Sequence, residues 1–190
     1  MPDSITVVSV GDLIAVDTVK NKLIYNYKSD IAKSNFSLCA ANYTMQEQTH
    51  NNIHIKTFLY PEHKNKNDTL VSLFGRILNY YQERFGKYPF NEFKIVETER
   101  RGGYAHEGQM FLSSDIINNI DDKSHFIIAH EVAHQWFPHT VMFFPEYYPN
   151  ESFAQYASIS YMESIGIMNN QRAIRKFLIL DGYLNLVFNN

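Results

Sequence analysis

Apolar and polar positions along the chain change their period near residue 62. Before that point, short apolar runs are separated by Gly-Asp, Asn-Lys and Asn-Asn pairs, a pattern typical of strands joined by turns. After it, apolar positions recur at helical spacing. The first part therefore predicts strands, over residues 4–10, 13–19, 23–27, 36–43 and 53–59.

The part after residue 62 predicts mainly helices. Residues 69–85 carry apolar side chains at positions 70, 71, 73, 74, 77, 78, 81 and 85, the pattern of an amphipathic helix. A Tyr-Pro turn follows and leads to a predicted strand over residues 93–96. Capping residues and helix-ending residues predict three more helices, from about residue 121 to Pro138, from Asn150 to Gly166, and over residues 170–186.

Composition restricts the class of protein. The 190 residues, 45% of them hydrophobic, are enough for about one domain with a core. A net charge of −3 and the absence of a Lys/Arg stripe exclude a basic surface for nucleic acid. No apolar run approaches the roughly 20 residues of a membrane span, and the N-terminus lacks the features of a signal peptide. The single cysteine, Cys39, excludes an internal disulfide and is predicted to be a packed thiol.

The segment His130-Glu131-Val132-Ala133-His134 has the spacing of a zinc site. Two histidines four residues apart on an α-helix lie about 40° apart in projection, so both imidazoles can reach one metal ion. Glu131 lies between them, where it can contact a metal-bound water without being a ligand. Burying these groups without a partner would be costly, which favours the metal interpretation over a helix that only packs. His125, five residues before His130, points away from this face.

A catalytic zinc site takes three protein ligands and keeps one position open. Glu151, in the first turn of the helix that follows, is well placed to be the third ligand. Glu146 and Glu163 are the competing carboxylates. A surface glutamate that stabilises the helix dipole is the other interpretation of Glu151.

Together these residues resemble the M1 family of zinc aminopeptidases. His-Glu-Val-Ala-His-Gln-Trp, followed by Asn-Glu-Ser-Phe-Ala, is similar to the family's HExxH-QW and N-E-x-F-A segments. The resemblance implies one Zn²⁺ ion held by His130, His134 and Glu151, with Glu131 as the general base. Sixteen residues, 135–150, separate the second histidine from the glutamate, against about eighteen in the family. A loop between two helices accommodates such a difference.

The substrate-binding segment matches less closely. The family's G-A-M-E-N segment, whose glutamate binds the free α-amine of the substrate, corresponds to residues 104–108, where only the alanine and Glu107 match. The resemblance implies that Glu107 binds the amine, while a solvated loop glutamate is the alternative. Gly102 and Gly103 would let a peptide approach closely. His106 and His139 could line the cleft, and the aromatic residues of segment 143–149 could wall it.

The resemblance also implies the fold and the domain organisation. It predicts an α+β protein whose residues 63–190 are a thermolysin-like zinc metallopeptidase core, truncated at its C-terminus. Residues 1–62 are then the C-terminal part of a preceding β-rich domain. The family's transition-state tyrosine is expected beyond Asn190, because Tyr183 lies too close to Glu151.

The predicted function is removal of N-terminal residues from peptides by water that Glu131 activates at the zinc site. Two alternatives remain. One is a gluzincin endopeptidase or another zinc hydrolase, because the amine-binding segment matches weakly. The other is a non-catalytic domain that contains zinc. A peptide substrate is the expected partner.

Overall fold

The structure is a computed structural model that describes residues 5–29, 36–140 and 148–167. These ranges contain nine strands, four α-helices and one short 3₁₀ helix. The strands are β1 (Thr6–Ser9), β2 (Asp12–Val19), β3 (Lys22–Lys28), β4 (Leu38–Ala41), β5 (Thr44–His50), β6 (Ile53–Leu59), β7 (Glu92–Thr98), β8 (Gly103–His106) and β9 (Gln109–Ser113). The helices are α1 (Asn67–Phe85), α2 (Ser114–Asn118), α3 (Asp122–Ala133) and α4 (Tyr148–Ser164), with the 3₁₀ helix at Pro61–Lys66.

A five-stranded sheet in the order β5-β6-β7-β9-β8 organises the fold. Strands β6, β7 and β9 are parallel, while β5 and β8 run antiparallel at the two edges. The central strand β7 is buried along most of its length, as expected for a parallel strand covered on both faces. One face packs against the helices, and the other packs Val96 and Phe111 against Val8 of β1.

The main core fixes α3 against α1. Helix α1 supplies an apolar stripe in which Phe74 stacks on Phe93 of β7, with ring centroids 4.2 Å apart. The hydroxyl of Tyr81 on α1 donates to the backbone oxygen of Ala129 on α3 at 3.0 Å. Each of these contacts is buried, so the position of α3 is set by the core rather than by exposed groups.

The N-terminal strands form two further two-stranded sheets, β1-β4 and β2-β3. Lys94 of β7 connects them to the central sheet: its ammonium donates to the backbone oxygens of Ser9, at 3.1 Å, and Gly11. It also pairs with Glu92 at 3.3 Å, and burial lowers the pKa of the Lys94 side chain. Because β5 and β6 belong to the same sheet as β7, the sheet continues across residue 62. The domain division at that residue stays a prediction.

Most of the predicted elements are present. The predicted helix over 69–85 is confirmed as α1, and the first four predicted strands and the one at 93–96 correspond to β1–β4 and β7. The strand predicted over 53–59 matches β6 exactly in its bounds. Strands β5, β8 and β9 were absent from the prediction, because β5 is a polar edge strand and β8 and β9 are too short to show a period. The predicted helix over 170–186 lies outside the described residues.

The helix that carries the motif ends earlier than predicted. The apolar pattern indicates a helix up to Pro138, whereas α3 ends at Ala133 with His134 as its C-cap. The backbone N–H groups of Gln135 and Trp136 donate to oxygens three residues earlier, which tightens the chain into turns. No helix among the described residues has the length and apolar character needed to cross a membrane.

Candidate metal centre

Two imidazoles and one carboxylate converge where α3 meets α4. The Nε2 atom of His130 lies 3.1 Å from Oε2 of Glu151 and 3.1 Å from Nε2 of His134. The Nε2 atom of His134 lies 3.6 Å from Oε1 of Glu151. One ligand atom from each of the three residues lies within 4.8 Å of the others. The structure thus brings together the three residues predicted as zinc ligands.

The orientation of His134 suits a metal ligand. Its Nδ1–H donates to the backbone oxygen of Phe137 at 2.7 Å, so Nε2 directs a lone pair at the cluster. This bond depends on the early end of α3, because Phe137 lies in the turn that follows the helix. Burial acts to lower the pKa of His134, but the hydrogen bond and the charges of Glu151 and Glu131 raise it overall.

Glu131 lies beside the cluster and is buried, with 7% of its surface exposed. Burial raises the pKa of its carboxyl, and the charges of His130 and His134 oppose that shift. Its side chain lies directly over Gly103 of β8: a Cβ at that position would be 2.7 Å from Cγ of Glu131. Gly103, predicted to admit a peptide, therefore also provides the space for the predicted base.

The cluster opens into a cavity of about 640 Å³. Strand β8 contributes to the wall, and so do residues Phe36–Cys39, which lead into and begin β4. His106 and His139 line this cavity, as predicted. The aromatic segment 143–149 cannot be compared with its prediction, because residues 141–147 lie outside the described ranges.

The other predicted substrate-binding residues, Glu107 and Gly102, line other grooves of the described structure. Glu107 is in the turn between β8 and β9, largely buried, with its Oε1 atom 3.9 Å from Nδ1 of His139. Burial lowers the pKa of His139 to about 4, and burial likewise lowers the pKa of His106. Gly102 has a φ of +91° and lines a separate groove beside α2 and α3. Its role in peptide binding stays a prediction.

Gln135 is a residue whose function the sequence reasoning missed. It is fully buried, and its side-chain amide donates to the backbone oxygen of His106 at 3.0 Å. Its side-chain oxygen accepts from the backbone N–H of Gly108 at 2.9 Å. The residue immediately after the second histidine thus fixes the β8-β9 turn, including Glu107, against the motif. Its adjacency to the HExxH segment was the available signal.

Comparisons by sequence and by structure give different results. No protein-family model matches the sequence, and no curated protein is similar to it in sequence. The structure of an M1 zinc metallopeptidase from Deinococcus radiodurans is similar, with a TM-score of 0.71 and 17% identity, over 98% of this chain and 43% of that chain. A glutamate-to-alanine mutant of an M1 zinc metallopeptidase from Deinococcus radiodurans is similar with a TM-score of 0.71 and 16% identity, over 98% of this chain and 43% of that chain.

A two-domain M1 zinc metallopeptidase mutant bound to L-arginine is also similar, with a TM-score of 0.69 and 16% identity. That similarity covers 97% of this chain and 42% of the other. The chain therefore spans less than half the length of these structures. At such low identity the comparison establishes the fold alone, a mixed α/β fold similar to that of M1 zinc metallopeptidases.

Proposed function

We propose that this chain binds one zinc ion through His130, His134 and Glu151 and is part of a peptidase that removes N-terminal residues from peptides. The observation that carries the proposal is the convergence of these three groups beside the buried Glu131, at the wall of a cavity. The fold of M1 zinc metallopeptidases supports it and supports a thermolysin-like core for the sheet and helices around the site.

The residues present fit a zinc ion. Two imidazole nitrogens and one carboxylate are a donor set that zinc uses in catalytic sites, with a position left open. Two Nε2 atoms 3.1 Å apart, of which that of His134 directs a lone pair inward, are electrostatically unfavourable unless a cation or a proton lies between them. The two histidines and Glu151 would hold the ion.

The chemistry divides between the metal and the side chains. When bound, zinc would lower the pKa of a water molecule and polarise a peptide carbonyl as a Lewis acid. Glu131 accepts a proton from water at its carboxylate and delivers it to the leaving amine. The burial that raises the pKa of Glu131 brings it closer to neutrality, where a carboxylate is a more effective general base.

Strand β8 offers the peptide a place to bind. It is an edge strand, so the backbone groups on its outer side are not used in the sheet. A peptide lying along it would add a strand through main-chain hydrogen bonds. Gly103 would then place the peptide backbone beside Glu131, and the β8-β9 turn would lie next to its N-terminus.

The first test measures zinc content, because this readout needs only the residues of the cluster. We expect about one zinc per chain after dialysis, little zinc in His130→Ala, and unchanged zinc in His125→Ala, which lies on the same helix but outside the cluster. Mass spectrometry of the purified proteins gives the ratio. If His130→Ala and His125→Ala retain zinc equally, the cluster is not the metal site.

The second test measures hydrolysis of amino-acid anilides by the zinc-loaded chain. We expect Glu131→Gln to keep its zinc and to lose a factor of about 10²–10⁴ in turnover, because a general base contributes that much. Hydrolysis that is unchanged in Glu131→Gln would show that this residue is not the base.

An endopeptidase is the second candidate function. It is favoured by one observation: the carboxylate of Glu107 is largely buried, and Glu107 lines a different groove from the cavity that contains Glu131 and the two histidines. An aminopeptidase should cleave substrates with a free α-amine and leave N-acetylated ones intact. Equal cleavage of both forms would favour the endopeptidase.

A further inference from the structure

The turn between β7 and β8 carries an arginine at the wall of the cavity. Arg100 lines the cavity, and its guanidinium lies over the ring of Tyr104, 3.7 Å from the ring centroid. The Tyr104 hydroxyl donates to the backbone oxygen of Arg101 at 2.8 Å. The backbone N–H of Arg100 donates to the Thr98 hydroxyl at 3.3 Å. These contacts place the guanidinium against the ring at the surface of the cavity.

Stacking leaves the donors at the edge of the guanidinium available. Within the described ranges, no carboxylate forms an ion pair with Arg100. The nearest acidic residue in sequence, Glu99, does not line the cavity and acts on Tyr60, whose pKa is raised by burial and then by this charge. A planar guanidinium stacked on an aromatic ring is well suited to bind a carboxylate through two parallel hydrogen bonds.

The direction of a bound peptide follows from how β8 passes α3. Gly103, at the start of β8, packs on Glu131, and His106, at its end, is bonded to Gln135. Glu131 therefore lies between the β8-β9 turn and Arg100. If the N-terminus of the peptide lies at that turn, the part released after cleavage lies towards Arg100. This step rests on the proposed function.

We propose that Arg100 binds a carboxylate on the released part of the peptide substrate. Arg100 lies three positions before Gly103, at most about 10 Å along an extended chain, so the carboxylate belongs within about three residues of the cleaved bond. Both the C-terminal carboxylate of a short peptide and an acidic side chain near the new N-terminus have this chemistry.

Binding to the zinc-loaded Glu131→Gln protein tests the proposal without turnover. Three tripeptides are compared by calorimetry: one with a free C-terminal carboxylate, the same peptide amidated, and an amidated peptide with glutamate at its third position. We expect either carboxylate to improve the dissociation constant about fivefold over the amidated peptide, a gain that high salt removes. The difference in dissociation constant between the first and third peptides shows whether the C-terminal carboxylate or the acidic side chain is preferred.

Arg101 provides the matched control. It is also exposed and carries the same charge, but it lines the groove beside α2 instead of the cavity. Adding Arg100→Gln should abolish the preference for a carboxylate and leave binding of the amidated peptide unchanged, while Arg101→Gln should retain the preference. Equal affinity for all three peptides, no binding of any, or equal loss in both arginine variants overturns the proposal.

The two proposals fail in distinguishable ways. Zinc content and hydrolysis of the amidated peptide by the unmodified chain report on the proposed function, and neither requires Arg100. If the chain hydrolyses peptides but shows no preference for a carboxylate, the proposed peptidase function stands and only the proposed role of Arg100 is overturned.

Discussion

The absence of a side chain at Gly103 leaves the space that the Glu131 side chain occupies. A Cβ atom there would lie 2.7 Å from Cγ and 2.9 Å from Oε1 of Glu131, too close for a normal contact. The Glu131 carboxylate occupies that space, next to the two histidines of the motif. Its position is therefore set by a residue 28 positions earlier in the sequence.

We expect Gly103→Ala to lower turnover by about 100-fold, because the methyl group displaces the base and a shift near 1 Å can cost that much. Zinc content should remain near that of the unmodified chain. Gly75→Ala is the matched control: its Cβ would lie 2.8 Å from His50, away from the site. Steady-state kinetics measures the loss of turnover, and thermal melts measure any loss of stability in the two variants. Equal loss of turnover in both variants would indicate a general effect on folding.

At the scale of elements, one side chain forms two hydrogen bonds between the segment after α3 and the β8-β9 turn. Gln135 follows the helix that carries the motif and uses both ends of its amide on the turn, at His106 and Gly108. The two elements are far apart in sequence and meet only in the folded chain. This arrangement links the segment that carries His130 and His134 to strand β8, a wall of the cavity.

Gln135→Leu should raise KM more than it lowers kcat. The substitution removes the partners of two partly buried backbone groups, at about 1–3 kcal/mol each, and releases the turn without changing a residue of the His130, His134 and Glu151 cluster. Gln82→Leu is the control, since Gln82 also accepts a backbone hydrogen bond, from Tyr88 at 3.1 Å, on α1. A KM that changes equally in both variants would contradict a specific role for Gln135.

At the scale of the whole molecule, buried tyrosines connect the helices and strands. Tyr81 donates to α3 and Tyr88 donates to the backbone oxygen of Glu92 at 3.0 Å. Burial raises the pKa of both hydroxyls well above 10.0 in the folded state. Each therefore contributes stability that is complete below about pH 10, the value for an unfolded chain, and is lost as the pH rises above it.

The free energy of unfolding should fall above about pH 10, by roughly 1.4 kcal/mol per pH unit for each tyrosine kept neutral. Tyr88→Phe should reduce this slope by about 1.4 kcal/mol per pH unit. Tyr156 is exposed, so Tyr156→Phe should leave the slope unchanged. Urea unfolding at several alkaline pH values measures the slope. The prediction is wrong if the slope of Tyr88→Phe equals that of the unmodified chain.

Much of the fold could be predicted because its signals are local. Helix α1 and strand β7 have periods that can be read from the chain, and each is confirmed. Strand β5 could not be predicted, because its residues are polar and its conformation comes from pairing with β6. The predicted end of α3, at Pro138, was wrong for a similar reason. The helix ends at Ala133, and the turn after it depends on hydrogen bonds such as that of His134 to Phe137.

The sequence by itself determined the zinc-ligand hypothesis, since helical spacing places His130 and His134 together and Glu131 beside them whatever the rest of the chain does. Only the tertiary structure decided that Glu151 joins them, because that requires α4 to pack on α3. It also decided the contact of Gly103 with Glu131 and the position of Arg100 at the wall of the cavity. Helix geometry acts over a few residues, whereas distances between segments exist only after the core has packed.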